Sequence, residues 1–495
     1  MQKVLAAVAM ACVPALVLSA CNGSSNGATG ISAIPNANGA ASKSRPFDLS
    51  ANDLHAGGAT FPALAYNGAS QPTGLYNGTQ APPAVGSLFA TVKLSNSSHV
   101  YYCLTGSGTG VGIFTAGTKG QTDGSTATTT GPCAPLGATP TGFGARKDPP
   151  DFAGSDVALA STDYTAYKTK REPGSGTNWG EPFEAPVIGG PIAYAYRPIS
   201  GFPKITSRIH LSKWAYCAIA NGTIANWNDA ALTKDNGASI TGGVSEPITF
   251  VFRSDGSGTS YNFTYHLNSA CHGPWPAPYN AAPYESTGHS ANWAYGFNKN
   301  WPGPGSAAVP NAHFIGQSGN PGVLAEVQAV HFSVGYVEGA YAASASPVVA
   351  QAILQSSASA GKPVWSDPTS KQNTNAALSI LSAHSITFGG GSDGIPLGTS
   401  RPTCVLYIDP AKFTNPVASG APASSYPINA VSYLLFYGKN NGVHTTQKLQ
   451  LIKFMTGSVA RNIETKLEYT PLPASITTAV LTAVNGTSSQ SACIK

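Results

Sequence analysis

One stretch limits the fold more than any other: residues 247–271, PITFVFRSDGSGTSYNFTYHLNSAC. Ile248 to Phe252 is a short run of apolar and β-branched residues, the pattern of a buried strand. Thr259, Phe263 and Leu267 then recur at helical spacing. A strand must therefore enter a helix through Arg253-Ser254-Asp255-Gly256-Ser257-Gly258-Thr259. Free backbone N–H groups at the helix start, two hydroxyls and a guanidinium converge on that turn. Such a turn holds a small tetrahedral oxyanion, phosphate being the first candidate.

The chain around it has 495 residues, enough for two domain-sized lobes or one domain with large insertions. Only 10% of residues are charged, against 55 Gly and 38 Pro, so the surface is loop-rich and built from Ser, Thr, Asn and Gly. The net charge of +5 is spread without a Lys/Arg block, which argues against nucleic-acid binding through a basic stripe.

Residues 1–21 read as an export signal: Lys3, an apolar core from Val4 to Leu18, then Leu18-Ser19-Ala20-Cys21. The last four resemble a bacterial lipobox, which implies that Cys21 carries lipid and begins the mature chain. Asn22 is not the aspartate of lipoproteins kept at the inner membrane, so a periplasmic, outer-membrane or cell-surface location is expected. The lipid is then the sole membrane attachment, because no other apolar run approaches the roughly 18 residues of a membrane span. Residues 22–50 follow as a Gly/Ala/Ser/Asn-rich tether.

Without Cys12 and Cys21, six cysteines remain: Cys103, Cys133, Cys217, Cys271, Cys404 and Cys493. An even number in an exported chain suggests disulfides, with 15 possible pairings. Pairing of sequence neighbours would give 103–133, 217–271 and 404–493. No C-x-x-C or H-x-x-x-H spacing supports a metal site, and none is expected.

Further along, Val100 to Leu104 and Pro186 to Tyr196 read as strands, Ser333 to Glu338 and Ser425 to Gly438 as containing others. Helices are expected over Pro321 to Val330 and within Thr446 to Leu467. Interleaved strands and helices argue α/β layers. Residues 115–147 and 273–305 read as loop insertions, the second with three of the seven Trp and open to two readings, a packed loop or a partner surface. Gly-Ser-Gly-Thr occurs at 106–109, 174–177 and 256–259; only the first and third follow strand-like runs, so 174–177 is taken as a loop.

RSDGSGT at 253–259, GGATFP at 57–62, FAGSD at 152–156, TIANWND at 223–229, SVGYVE at 333–338 and EYTPLP at 468–473 occur in the order seen in a known family. The chain resembles phosphate-specific substrate-binding proteins of ABC transporters, the PstS type; Cys217 and Cys271 look most like its DING subgroup. The resemblance covers most of 55–480. It implies a two-lobed type II periplasmic-binding-protein fold, α/β in class, with phosphate in the cleft between lobes. Lobe 1 would comprise 51–190 plus 400–495, and lobe 2 residues 191–399, with crossings near Ile188 to Ile192 and within 345–400.

By the same resemblance, Thr60, Phe61 and Ser107 donate to the ligand, and Asp156 accepts a proton from it. Arg253 pairs with the anion, Asp255 orients the guanidinium, and Ser257, Gly258 and Thr259 complete the cage. The second turn reads GSGTG where some members have GSSGG, which makes a backbone N–H at Gly108 the alternative donor to Ser107. Read alone, Asp156 would be an N-cap, and Arg253 with Asp255 a surface ion pair.

The expected function is high-affinity phosphate binding for ABC-type uptake, by a monomer that serves a permease and needs no cofactor. Phosphate keeps a proton at neutral pH and can donate it to a carboxylate, whereas sulfate cannot; Asp156 would thus set specificity. The rival readings are a DING-like phosphomonoesterase and a surface-anchored scavenger or adhesin. No strand-to-helix G-x-S-x-G elbow, Ser/His/Asp set or two-metal cluster supports catalysis. No G-K-[ST] follows a glycine turn, which excludes a nucleotide P-loop.

Overall fold

The computed structural model describes residues 52–68, 75–76, 79–80, 83–115, 150–171, 179–205, 207–285, 289–359, 361–399, 402–438, 444–488 and 490–495. The expected leader, Cys21, the tether at 22–50, Cys133, and the loops at 116–149 and 174–177 lie outside these residues.

A nine-stranded sheet organises the molecule. Its strands are β1 (Leu54–Gly58), β2 (Val100–Leu104), β3 (Phe152–Ser155), β4 (Pro182–Tyr196), β5 (Thr249–Arg253), β6 (Phe314–Gln317), β7 (Ser333–Glu338), β8 (Ala350–Gln351) and β9 (Asn429–Tyr437). In space the order is β2-β1-β3-β9-β4-β7-β5-β6, with β8 also on β4. Two half-sheets share one strand. Along 182–191 β4 pairs antiparallel with β9, and along 192–196 with β7, so the exchange falls between Pro191 and Ile192.

All fifteen residues of β4 are buried, which is why PVIGGPIAYAY reads as an unbroken apolar run. Its internal Pro186 sits where the register with β9 shifts, between Ser432 and Tyr433. A bulge of that kind is where a central strand tolerates proline. The β1, β2 and β3 strands run parallel to one another, as do β7, β5 and β6.

Four of these parallel strands turn directly into helices. They are α1 (Ala63–Asn67) after β1, α2 (Ser107–Phe114) after β2, α3 (Gly258–Ala270) after β5 and α4 (Gly319–Ala329) after β6. The first two belong to the lobe of β1, the others to the lobe of β5, and the four helix starts face one another.

A hairpin of Ile386–Phe388 with Leu406–Ile408 bridges Glu184 of β4 through Val405. Ser392 N–H donates to Leu159 carbonyl at 3.1 Å on the first lobe, whereas Thr414 carbonyl bonds His266 and Ala423 carbonyl accepts from Ser356 on the second, so this part of the chain touches both lobes.

The aromatic-rich insertion is a packed loop. Trp275, Trp293 and Trp301 are buried, and their indole N–H groups are used locally, on Asn292 Oδ1, Gly296 carbonyl and Pro304 carbonyl. Trp301 stacks on Phe250 and Phe252 and so supports β5 from the side. Disulfides join Cys217 to Cys271 and Cys404 to Cys493; Cys103 is also disulfide-bonded. Among the described residues no helix is long and apolar enough to cross a membrane.

Candidate functional site

The strand β5 delivers Arg253 at its last residue, fully buried. Asp255 clamps the guanidinium with both carboxylate oxygens, at 2.7 Å to Nε and 2.6 Å to Nη2. Burial opposes the Arg253 charge, and the Asp255 carboxylate outweighs it, so the cation is held. Burial alone would push the Asp255 carboxyl up; Arg253 and the Gly319 N–H (3.0 Å) hold it below the usual range instead. Nη1 reaches Thr259 Oγ1 at 3.4 Å. Two of the five guanidinium N–H groups are left for a ligand.

Ser257 caps α3: its Oγ accepts from Ser260 N–H at 3.0 Å, and its own N–H donates to Lys299 carbonyl. The hydroxyl proton therefore remains available. Gly258 must be glycine, because a Cβ there would lie 2.6 Å from Asp156 Cβ in the other lobe.

The opposite wall comes from three strand ends. Thr60 follows β1, Ser107 opens α2, and Asp156 directly follows β3. No helix starts at Asp156, so the N-cap role is excluded; the next helix begins at Ser161. Ser107 Oγ accepts from Asp156 N–H at 3.2 Å and donates to Asp156 Oδ2 at 3.3 Å. It thus supports the carboxylate. Asp156 Oδ1 is buried and has no partner. The nearby Ser432 hydroxyl donates instead to the Ser155 carbonyl, at 3.4 Å. Burial pushes the Asp156 carboxyl up to about 7, although the Arg253 charge and the Ser107 hydroxyl pull it down.

The walls touch. Gly108 N–H donates to Gly256 carbonyl at 2.8 Å, so Gly108 is a contact between lobes and its N–H is unavailable as the alternative ligand donor. Asn262 Nδ2 donates to Asp156 carbonyl at 2.8 Å. Phe61 is buried, and its carbonyl accepts from Tyr469 hydroxyl, which assigns the EYTPLP segment to holding the first turn. The two walls close on one another.

Two contributors escaped sequence reasoning. Asn320, at the start of α4, donates from Nδ2 to Thr60 Oγ1 across the lobes at 3.1 Å. Tyr336 hydroxyl accepts from Arg253 N–H at 3.0 Å and sits 2.5 Å from Ser260 Oγ. The signal for Asn320 is Ser318-Gly319-Asn320, just ahead of the helix expected from Pro321 and inside the observed α4. Among the described residues, no group of three or more His, Cys, Asp or Glu side chains could hold a metal.

Two half-sheets exchanging partners along one strand, with donors and a carboxylate facing across their boundary, define a two-lobed binding protein. The chain belongs to the PBP superfamily, whose domain model matches residues 77–459. It is 29% identical over 341 residues to phosphate-binding protein PstS 2 of Mycobacterium tuberculosis, covering 68% of this chain and 74% of that protein. Its fold aligns with a high-affinity periplasmic phosphate-binding protein (PfluDING) bound with phosphate, at TM-score 0.57 and 20% identity, over 89% of this chain and 95% of that one. A DING protein aligns at TM-score 0.56 and 21% identity, over 89% and 96%.

Proposed function

We propose that this protein binds inorganic phosphate outside the cytoplasm, as the solute-binding component of an ABC-type phosphate importer. One observation carries the reading: a buried carboxylate oxygen without a partner, Asp156 Oδ1, faces a wall built around a charged, buried arginine. That combination wants an anion which also has a proton to give. A micromolar dissociation constant needs only about 8 kcal/mol net, and hydrogen bonds to charged groups contribute about 1.5–3 kcal/mol each. The cage can supply that after desolvation and closure costs. Names of relatives such as phosphate-binding protein PstS 2 support the reading.

Thr60, Phe61, Asp156, Arg253, Ser257, Gly258 and Thr259 form the cage in this proposal, with Asp255 orienting Arg253 and Ser107 holding Asp156. Complete burial of Thr60, Ser107, Asp156, Arg253 and Thr259 leaves no exit for an ester substituent, which favours binding over phosphomonoesterase activity. In the same proposal the protein works as a monomer, tethered through lipid on Cys21, and hands phosphate to a permease. Calorimetric titration of the protein, stripped of carried-over ligand, should show phosphate binding near 1:1. A heat-silent titration would overturn the proposal.

A further inference from the structure

The hydroxyls of Thr60 and Thr259 face the site from opposite lobes, and a hydroxyl can present either a proton or a lone pair to a ligand. Here the protein decides. Thr60 Oγ1 accepts two hydrogen bonds from Asn320, from its backbone N–H and from Nδ2, both at 3.1 Å. Thr259 Oγ1 accepts from Asn320 Nδ2 and from Arg253 Nη1, both at 3.4 Å. Two bonds fill the two lone pairs of each oxygen. Among the described residues neither threonine hydroxyl donates to a protein atom. Only the protons are left to face a ligand.

The amide itself is locked. Asn320 is fully buried, and its Oδ1 accepts from Glu338 N–H at 3.2 Å, which fixes Nδ2 as the group that points at the threonines. Glu338 lies at the end of β7, opposite Ile192, beside the exchange point of β4. Asn320 is therefore positioned from the junction of the lobes and acts on both walls.

We infer that Asn320 is a positioning residue for anion specificity: it holds both threonines as obligate donors. With their lone pairs filled, neither can take a hydrogen bond from the ligand, so the ligand's one proton is directed to Asp156. This rests on the proposed phosphate binding and adds to it why the ligand's proton finds its acceptor at Asp156 and not at either threonine.

The test is a double-mutant cycle read by phosphate titration, with thermal unfolding of the ligand-free protein as the folding control. Asn320→Ala should weaken phosphate about ten-fold in the wild-type background, near the low end for one hydrogen bond to a charged group. The same change should cost less than about two-fold where Thr60→Val and Thr259→Val have already removed the hydroxyls. With Thr60→Ser and Thr259→Ser, which keep them, the full effect should return. A packing role for Asn320 would make the Val and Ser backgrounds behave alike, and that result overturns the inference.

Asn320→Asp keeps the side chain's volume and its bond from Glu338, so it serves if the alanine variant fails to fold. A carboxylate there attracts both hydroxyl protons away from the ligand and adds a like charge. Loss of about 100-fold or more is expected, and affinity within about three-fold of wild type overturns the inference. If the wild-type protein itself ignores phosphate, the functional proposal fails and this inference falls with it; wild-type binding with equal effects in all backgrounds removes this inference alone.

Discussion

Two aspartates face each other across the site and are driven in opposite directions. Asp255, on the wall of the second lobe, is held ionised below the usual range by Arg253 and a backbone N–H, against its burial. Asp156, on the first lobe, is pushed up to about 7 because its Oδ1 is buried without a partner. On one wall the ion pair is already made before any ligand arrives. The other waits. In the proposed function the second lobe would supply charge, and hence most of the affinity, while the first would supply the acceptor that tells one oxyanion from another.

The largest effect should come from breaking the ion-paired wall. Arg253→Ala removes the cation and leaves Asp255 partly buried without its counter-charge, a cost of about 3 kcal/mol or more to the fold. Phosphate affinity should fall by about 100-fold or more, measured by titration at a temperature where the variant remains folded. Retained affinity would mean that the anion does not sit against this wall.

Next comes the waiting wall. Asp156→Asn replaces an acceptor by a group that can also donate, so sulfate is no longer penalised by an unpaired, repelling oxygen. The preference for phosphate over sulfate should drop by about ten- to hundred-fold, corresponding to roughly 1–3 kcal/mol. An unchanged ratio in competition titrations would take Asp156 out of that role.

The same contrast has a pH signature in the ligand-free protein. Asp156 rises to about 7, and burial likewise lifts Glu184, Glu338 and Glu464 to about 8. Each of these binds a proton more readily in the folded state, so stability is greatest below the ordinary carboxylate range and is lost as pH rises. The unfolding midpoint should decline between about pH 4 and pH 8. Asp156→Asn should flatten the part of that decline below pH 7. A midpoint that instead rises steadily over this window would show that groups kept neutral by burial in the opposite sense, such as His266, lowered to about 4, outweigh the buried acids.

The two walls also differed in how far they could be read in advance. Arg253 to Thr259 is contiguous, and the strand before it and the helix after it have clean local periodicity. Its chemistry was visible in seven letters. Thr60, Ser107 and Asp156 lie on three separate strand ends, and only the family resemblance joined them. The helix at Ser107–Phe114 was read as a mere turn, because SGTGVGIF has three glycines, which are poor helix formers. Packing explains two of them: a Cβ at Gly110 would lie 2.6 Å from Gly58 Cα, and one at Gly108 would lie 3.0 Å from Gly256 carbonyl oxygen. Tertiary contact overrode propensity there, and no local window shows it. Asn320 was missed for the same reason, since its meaning lies in Thr60, 260 residues away. The shared strand β4 was legible because a buried central strand must be apolar on both faces.

The smallest expected effect sits at the rim, where the lobes also exchange charge. Lys299 Nζ, on the aromatic-rich loop of the second lobe, lies 3.6 Å from Asp163 Oδ2 on the first, and both side chains are partly exposed. Such a pair is typically worth less than about 1 kcal/mol. It can form only when the lobes meet, so Lys299→Ala should weaken phosphate by less than about three-fold, with the difference fading as salt is raised. Compared with Arg253, the same formal charge should count for little because water screens it and no ligand touches it. Should Lys299→Ala cost as much as Arg253→Ala, and cost it at high salt too, affinity would be governed by closure at the rim and the division between a charging wall and a selecting wall would fail.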